Sequence, residues 1–151
     1  MDTRSLVFVF AMVVLISSLG GCAPAGFDPN DPIVGVYSAQ VSGDEIVAAG
    51  GSDVVVGIEE GDWELEFTKD GTFRRMRIRS IGLHLEEEFP YHLSGDTLIV
   101  EKGSGQNGCF PTAGEGRYRW QVNAGVLTLT TIEDSCYRKY VMASKPWVSK
   151  P

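Results

Sequence analysis

Histidine and cysteine are scarce in this chain of 151 residues, with two of the first and three of the second. That stock leaves little from which to build a metal centre, since zinc usually takes four nitrogen or sulfur ligands. His84 and His92 are the whole histidine complement, and eight steps of extended chain would hold them roughly 26 Å apart, too far to share an ion. Base is short as well: 13 Lys+Arg stand against 20 Asp+Glu, for a net charge of −7. Nucleic acid, whose phosphates ask for a basic footprint, is therefore not an expected partner. The chain also lacks a Gly-x-Ser-x-Gly elbow, the strained turn that exposes a hydrolase serine. An enzyme is not expected, and no cofactor is implied. What remains is 43% hydrophobic and 10% aromatic, enough for one domain with a core of its own.

Leu6 to Ile16 (LVFVFAMVVLI) is an unbroken apolar run of about eleven residues. As a helix it would span roughly 16 Å, about half of a hydrocarbon core, so it is too short to cross a bilayer. That length suits the centre of a secretory signal, with Arg4 and the free amine as a thin positive flank weakened by Asp2. The run closes on Leu19-Gly20-Gly21-Cys22, which resembles the bacterial lipoprotein lipobox. The resemblance implies cleavage before Cys22 and acyl chains on the new terminus, durable anchoring where one chain would be marginal. Removal of residues 1–21 would leave the net charge unchanged, because Asp2 and Arg4 cancel. Ala23, not aspartate, follows Cys22, so nothing resembles inner-membrane retention. The expected location is the cell envelope, the outer membrane where there is one. An ordinary cleaved signal that happens to stop beside a cysteine is the plainer alternative. Residues 22–32, with three prolines between Ala23 and Pro32, read as a short lipidated tether.

With Cys22 assigned to lipid, Cys109 and Cys136 are an even remainder in an exported chain, which reads as one disulfide. Closing a loop of about 28 residues would contribute roughly 3–4 kcal/mol in the chain-entropy picture. Two thiols holding a metal is the competing idea. It lacks a Cys-x-x-Cys spacing and nearby histidines.

From Ile33 onward the apolar period is two. Trp63, Leu65 and Phe67 alternate with Glu64, Glu66 and Thr68; Tyr118, Trp120 and Val122 alternate with Arg119 and Gln121; Phe89, Tyr91 and Leu93 repeat the pattern. Lys69-Asp70-Gly71-Thr72, Ser94-Gly95-Asp96 and Asn123-Ala124-Gly125 are hairpin signals between such runs. The pattern predicts eight strands, near 33–41, 62–68, 72–79, 84–93, 96–102, 115–122, 125–132 and 137–143. Short links favour an up-and-down meander, and closure of eight strands into a barrel would remove exposed sheet edges. The expected fold is thus all-β, an eight-stranded antiparallel up-and-down barrel, with a two-sheet sandwich as the alternative. The one long link, Ser42 to Gly61, has room for a helical turn at Asp44–Ala49, and Val54-Val55-Val56 could cover one barrel mouth.

Gly35-Val36-Tyr37, the long link, Gly61-Asp62-Trp63, Trp63 to Phe73 (WELEFTKDGTF), Ser94 to Leu98 (SGDTL) and Gly116 to Trp120 (GRYRW) together resemble small bacterial lipocalin-like (calycin) domains over about residues 33–148. The Gly-x-Trp opening of that family corresponds either to Gly35-x-Tyr37 or to Gly61-x-Trp63. The resemblance implies a barrel that often holds a small apolar ligand and is rarely an enzyme.

Phe73 to Arg79 (FRRMRIR) carries the most chemistry. With Phe73 inward, strict alternation sends Arg75, Arg77 and Arg79 inward, where guanidiniums demand anionic partners. That would make a carboxylate or phosphate pocket. One β-bulge near Arg74 would instead turn Met76 and Ile78 inward and set the arginines in water opposite Glu86, Glu87 and Glu88. Trp63, Phe67, Arg75, Arg77, Tyr118 and Trp120 are the ligand-binding candidates, weighed against an ordinary aromatic core. Gly103 to Gly108 (GSGQNG) matches Gly-x-Gly-x-x-Gly, but Cys109-Phe110-Pro111 follows in place of a helix, so it reads as a loop. The histidines read as single exposed side chains. The leading expectation is a lipid-anchored envelope protein whose barrel takes a small apolar, amphipathic or anionic ligand. The alternative is a filled barrel acting as an interaction or inhibitor module.

Overall fold

The computed structural model describes residues 31–101 and 115–151. Eight strands pair in chain order, all antiparallel: β1 (Gly35–Val41), β2 (Gly61–Phe67), β3 (Thr72–Arg79), β4 (Gly82–Ser94), β5 (Thr97–Val100), β6 (Gly116–Asn123), β7 (Val126–Glu133) and β8 (Trp147–Ser149). The last returns to the first, Tyr37 opposite Ser149 and Ser38 opposite Val148, so the sheet closes into a barrel. The expected up-and-down barrel is present, and the sandwich alternative is overturned by that closing pair.

Register follows from alternation. Phe67 lies opposite Phe73, and Phe73 opposite Phe89, which sends all three inward on adjacent strands. Phe67 stands 5.1 Å from Phe73 and 5.3 Å from Tyr91 between ring centroids, near one rim. A positive φ at both Ala124 and Gly125 gives the β6–β7 hairpin the turn geometry that matches strand twist. This rim also carries the Lys69–Gly71 and Gly95–Asp96 turns. The chain enters β1 and leaves β8 at the same rim, where the Lys150 amide donates to the Val36 carbonyl at 2.8 Å.

The opposite rim is closed by helices. The long link forms α1 (Gly43–Ala48), where a helical turn is expected, and a second helix not expected from the sequence, α2 (Asp53–Glu59), at the Val54–Val56 stretch expected to cover a barrel mouth. Ser42 and Glu45 make a capping box at the start of α1, each side chain bonding the other's backbone amide. Ile46 and Val55 point down into the core as its upper layer.

The predicted strand 137–143 is overturned. Arg138–Met142 is a helix, α3, and the eighth strand is the three-residue β8 that follows. The reason is the spacing of its buried side chains: Arg138, Val141 and Met142 fall at i, i+3 and i+4, one face of a helix rather than of a strand. Trp147, fully buried, then donates its indole N–H to the Met142 carbonyl at 3.0 Å and fills the closing seam.

Candidate functional site

The barrel interior holds charge. Strand β3 keeps strict alternation from Phe73, so Arg75 points inward and is 2% exposed. Its Nη1 meets Glu59 Oε2 at 2.6 Å and its Nε meets Glu87 Oε2 at 3.0 Å. Glu59 comes from α2, Glu87 from β4. The anionic partner that an interior arginine requires is thus supplied by the chain itself. Burial disfavours the Arg75 charge, but Glu87 and Glu59 outweigh it and hold its pKa above the usual value. Burial pushes the Glu87 carboxyl up, opposed by Arg75 and Arg138.

Trp63 is the wall of this cluster. The guanidinium carbons of Arg75 and Arg77 each lie 4.4 Å from its ring centroid, a cation–π arrangement. The indole N–H donates to the Glu59 carbonyl at 2.8 Å, which anchors the end of α2 over the barrel. Arg77 is half-buried and donates to the Ile58 carbonyl. Arg79, at the rim, is exposed and pairs with Glu86 at 2.7 Å.

Neither sequence expectation for the arginines holds in full. A bulge does occur, but it lies on β4: Arg75 faces Glu87 and Met76 faces Leu85, so Glu86 is the extra residue. Because β3 itself is unbroken, Met76 and Ile78 do not turn inward. The outer ladder is carried instead by Arg74, which bonds Glu66 at 3.1 Å and Glu88 at 2.6 Å.

A second buried group joins β6 to α3. The Tyr118 hydroxyl donates to Asp134, and Arg138 Nε meets the same carboxylate at 2.7 Å. Asp134 also accepts the Cys136 amide at 2.7 Å. Burial together with the Asp134 charge raises the Tyr118 pKa well above its ordinary value. Gly116 makes room for the group, since a Cβ there would lie 2.5 Å from Asp134 Oδ2 and 2.7 Å from Arg138 Nη2.

The six ligand-binding candidates are not brought together as one site. Trp63, Arg75 and Arg77 form the charged cluster under the cap. Phe67 belongs to the aromatic layer at the other rim, and Tyr118 to the Asp134 group. Trp120 is half-buried across from Leu129. Glu59, Asp134 and Arg138 were not among the candidates. The spacing of Asp134 and Arg138, four apart with opposite charge, is the one local signal that could have paired them, although Asp134 lies in the loop before α3. Glu59 carries no local signal. His84 and His92 stand apart, beside Glu86 at 3.5 Å and Glu101 at 3.1 Å. Cys22, Cys109 and the Gly103–Gly108 motif lie outside the described residues, as do most of residues 1–32, so the lipidation and disulfide expectations carry forward untouched. Among the described residues no group of three or more His, Cys, Asp or Glu could hold a metal ion, and no helix is long and apolar enough to cross a membrane.

No family model matches the chain, and neither a curated protein nor a solved structure matches it.

Proposed function

We propose that the chain is an exported, lipid-anchored envelope protein with a lipocalin-like barrel whose interior is filled, acting through its outer surface as an interaction or inhibitor module. The observation that carries this reading is Arg75. The interior guanidinium that could have gripped an anionic ligand is already neutralised by Glu59 and Glu87. Phe67 likewise packs on Phe73 and Tyr91, and Trp63 on the chain's own arginines. An eight-stranded barrel is just wide enough for side chains to fill it.

The lipobox resemblance at Leu19–Cys22 supports the anchor, and the even pair Cys109 and Cys136 supports one bridge. Intact mass of the mature protein tests both: acyl mass on Cys22, lost in Cys22→Ala, and a gain of two hydrogens on reduction.

A second reading, a barrel holding one small amphipathic anion, is favoured by one specific observation. Arg77 Nε, Trp120 Nε1 and Arg138 Nη2 are buried without a hydrogen-bond partner among the described residues, and such donors want an acceptor. Native mass spectrometry of residues 23–151, which contain every strand, separates the two. The filled barrel flies at its bare mass. A ligand barrel retains a stoichiometric small molecule that Arg77→Met releases.

A further inference from the structure

Exposed apolar side chains are unevenly placed on this molecule. The rim where the chain enters β1 is built of polar turns, whereas α1 and α2 at the opposite rim expose Val47, Val54 and Ile58, at 51%, 68% and 49%. Val54 and Ile58 are one turn apart on the exposed side of α2, next to the side that buries Val55 and Glu59. Between them in sequence is Gly57, where an added Cβ would meet nothing within 4 Å. A glycine inside a helix costs about 1 kcal/mol relative to alanine. Nothing among the described residues packs against it to require one.

Charge on the same cap is of one sign. Residues 42–62 contain six carboxylates and no lysine or arginine. Glu59 is spent on Arg75 inside, and Glu45 on Lys145 at 2.7 Å. Asp44, Asp53, Glu60 and Asp62 are exposed and make no ion pair among the described residues. The two helices run antiparallel, with the Gly43 amide bonded to Glu60 at 3.2 Å. Asp44 and Glu60 therefore sit together at one end of the cap and Asp53 at the other, with the apolar side chains between. The outer face of the β3–β4 hairpin is apolar too, at Ile78, Leu83 and Leu85. The rim charge beside it, Glu86, is however already matched by Arg79, so it carries no preference for a partner.

We infer that the outer face of the α1–α2 cap docks a cationic amphipathic polypeptide segment, with apolar side chains on Val54, Gly57 and Ile58 and basic ones reaching Asp44, Glu60 and Asp53. The inference deepens the reading of the barrel as a surface-acting module and rests on it. The carboxylates select this occupant: they repel an anionic bilayer, and they repel the same acidic cap on a second copy. A glycine with open space lets a partner's backbone come close. The rim of attachment at β1 lies at the far end of the barrel, so a lipid-tethered molecule would present the cap away from its own membrane.

The test is titration calorimetry of residues 23–151 with a synthetic leucine–lysine amphipathic helical peptide, at about 20 mM and about 300 mM salt. The wild-type chain binds and weakens as salt rises. Val54→Ser with Ile58→Ser weakens binding about tenfold or more, and Asp44→Asn with Asp53→Asn flattens the salt dependence. Gly57→Leu separates docking from folding. Its side chain enters open space and improves helix propensity, so thermal stability holds or rises while peptide binding falls. No binding at low salt overturns the inference, as does binding that survives the cap variants or is lost only in Leu83→Ser. Vesicle binding, or dimerisation through the cap, overturns it equally. The native-mass measurement judges the filled barrel and the titration judges the cap, so the two fail separately.

Discussion

Arg75 decides what the inside of this barrel can be. Removing its charge alone leaves two carboxylates facing each other in a dry interior. Arg75→Met should therefore cost about 3–5 kcal/mol near neutral pH. The deficit has a pH signature. Burial raises the Glu87 pKa in the folded chain above its unfolded value. Its favourable contribution is then complete below the unfolded value and is lost as pH rises through the folded one. Without Arg75 that imbalance grows, so urea melts should show the gap to wild type narrowing on acidification from neutrality, and Glu87→Gln should remove most of the narrowing. Gly116 offers a contrasting test. An alanine methyl there would press on Asp134 and Arg138, both buried and bonded to each other. Overpacking of this kind costs about 1–3 kcal/mol. Gly57→Ala, with open space around it, should instead stabilise by about 0.5–1 kcal/mol in the same assay.

At the scale of elements, β8 is the weakest closure and depends on one side chain. Three residues pair with β1 and β7, and Trp147 supplies the buried area. Trp147→Ala should cost about 3–5 kcal/mol. Hydrogen exchange should show the amides of Ser38 and Leu127, which face β8, losing protection before those of β2 and β3. The same region marks the limit of what was legible beforehand. Alternating runs such as Trp63–Phe67 and Tyr118–Val122 declared their strands because a period of two is local and each residue's face follows from its neighbours. Residues 137–143 did not, because a five-residue helix offers too few repeats to tell one period from the other, and its deciding partner, Asp134, lies outside it. The arginine strand was half legible. Alternation correctly sent Arg75 inward, but the bulge sits on β4, at Glu86, and the neutralising Glu59 arrives from a helix sixteen residues earlier. Contacts of that range leave no imprint on local pattern. The polar site was therefore readable as a demand for anions and not as its answer.

For the whole molecule, closure between first and last strands ties stability to a long-range contact. Loop-closure entropy must be met before that contact rewards it, and barrels of this type fold in milliseconds to seconds. Stopped-flow refolding of residues 23–151 should fall in that range, with Trp fluorescence and backbone ellipticity tracing one transition. The net charge of −7 adds a mild self-repulsion that salt relieves, so the unfolding midpoint should rise modestly with added sodium chloride.

The shared rim at which β1 begins and β8 finishes has a practical corollary. With the Lys150 amide bonded to Val36, a short peptide splice could join the two, and the ring could be reopened at the Ala124–Gly125 hairpin to give a rewired barrel of unchanged shape. Such a permutant would relocate any membrane leash to a different strand pair while leaving the helical lid untouched, and so would let reach and orientation be varied without altering a single wall residue.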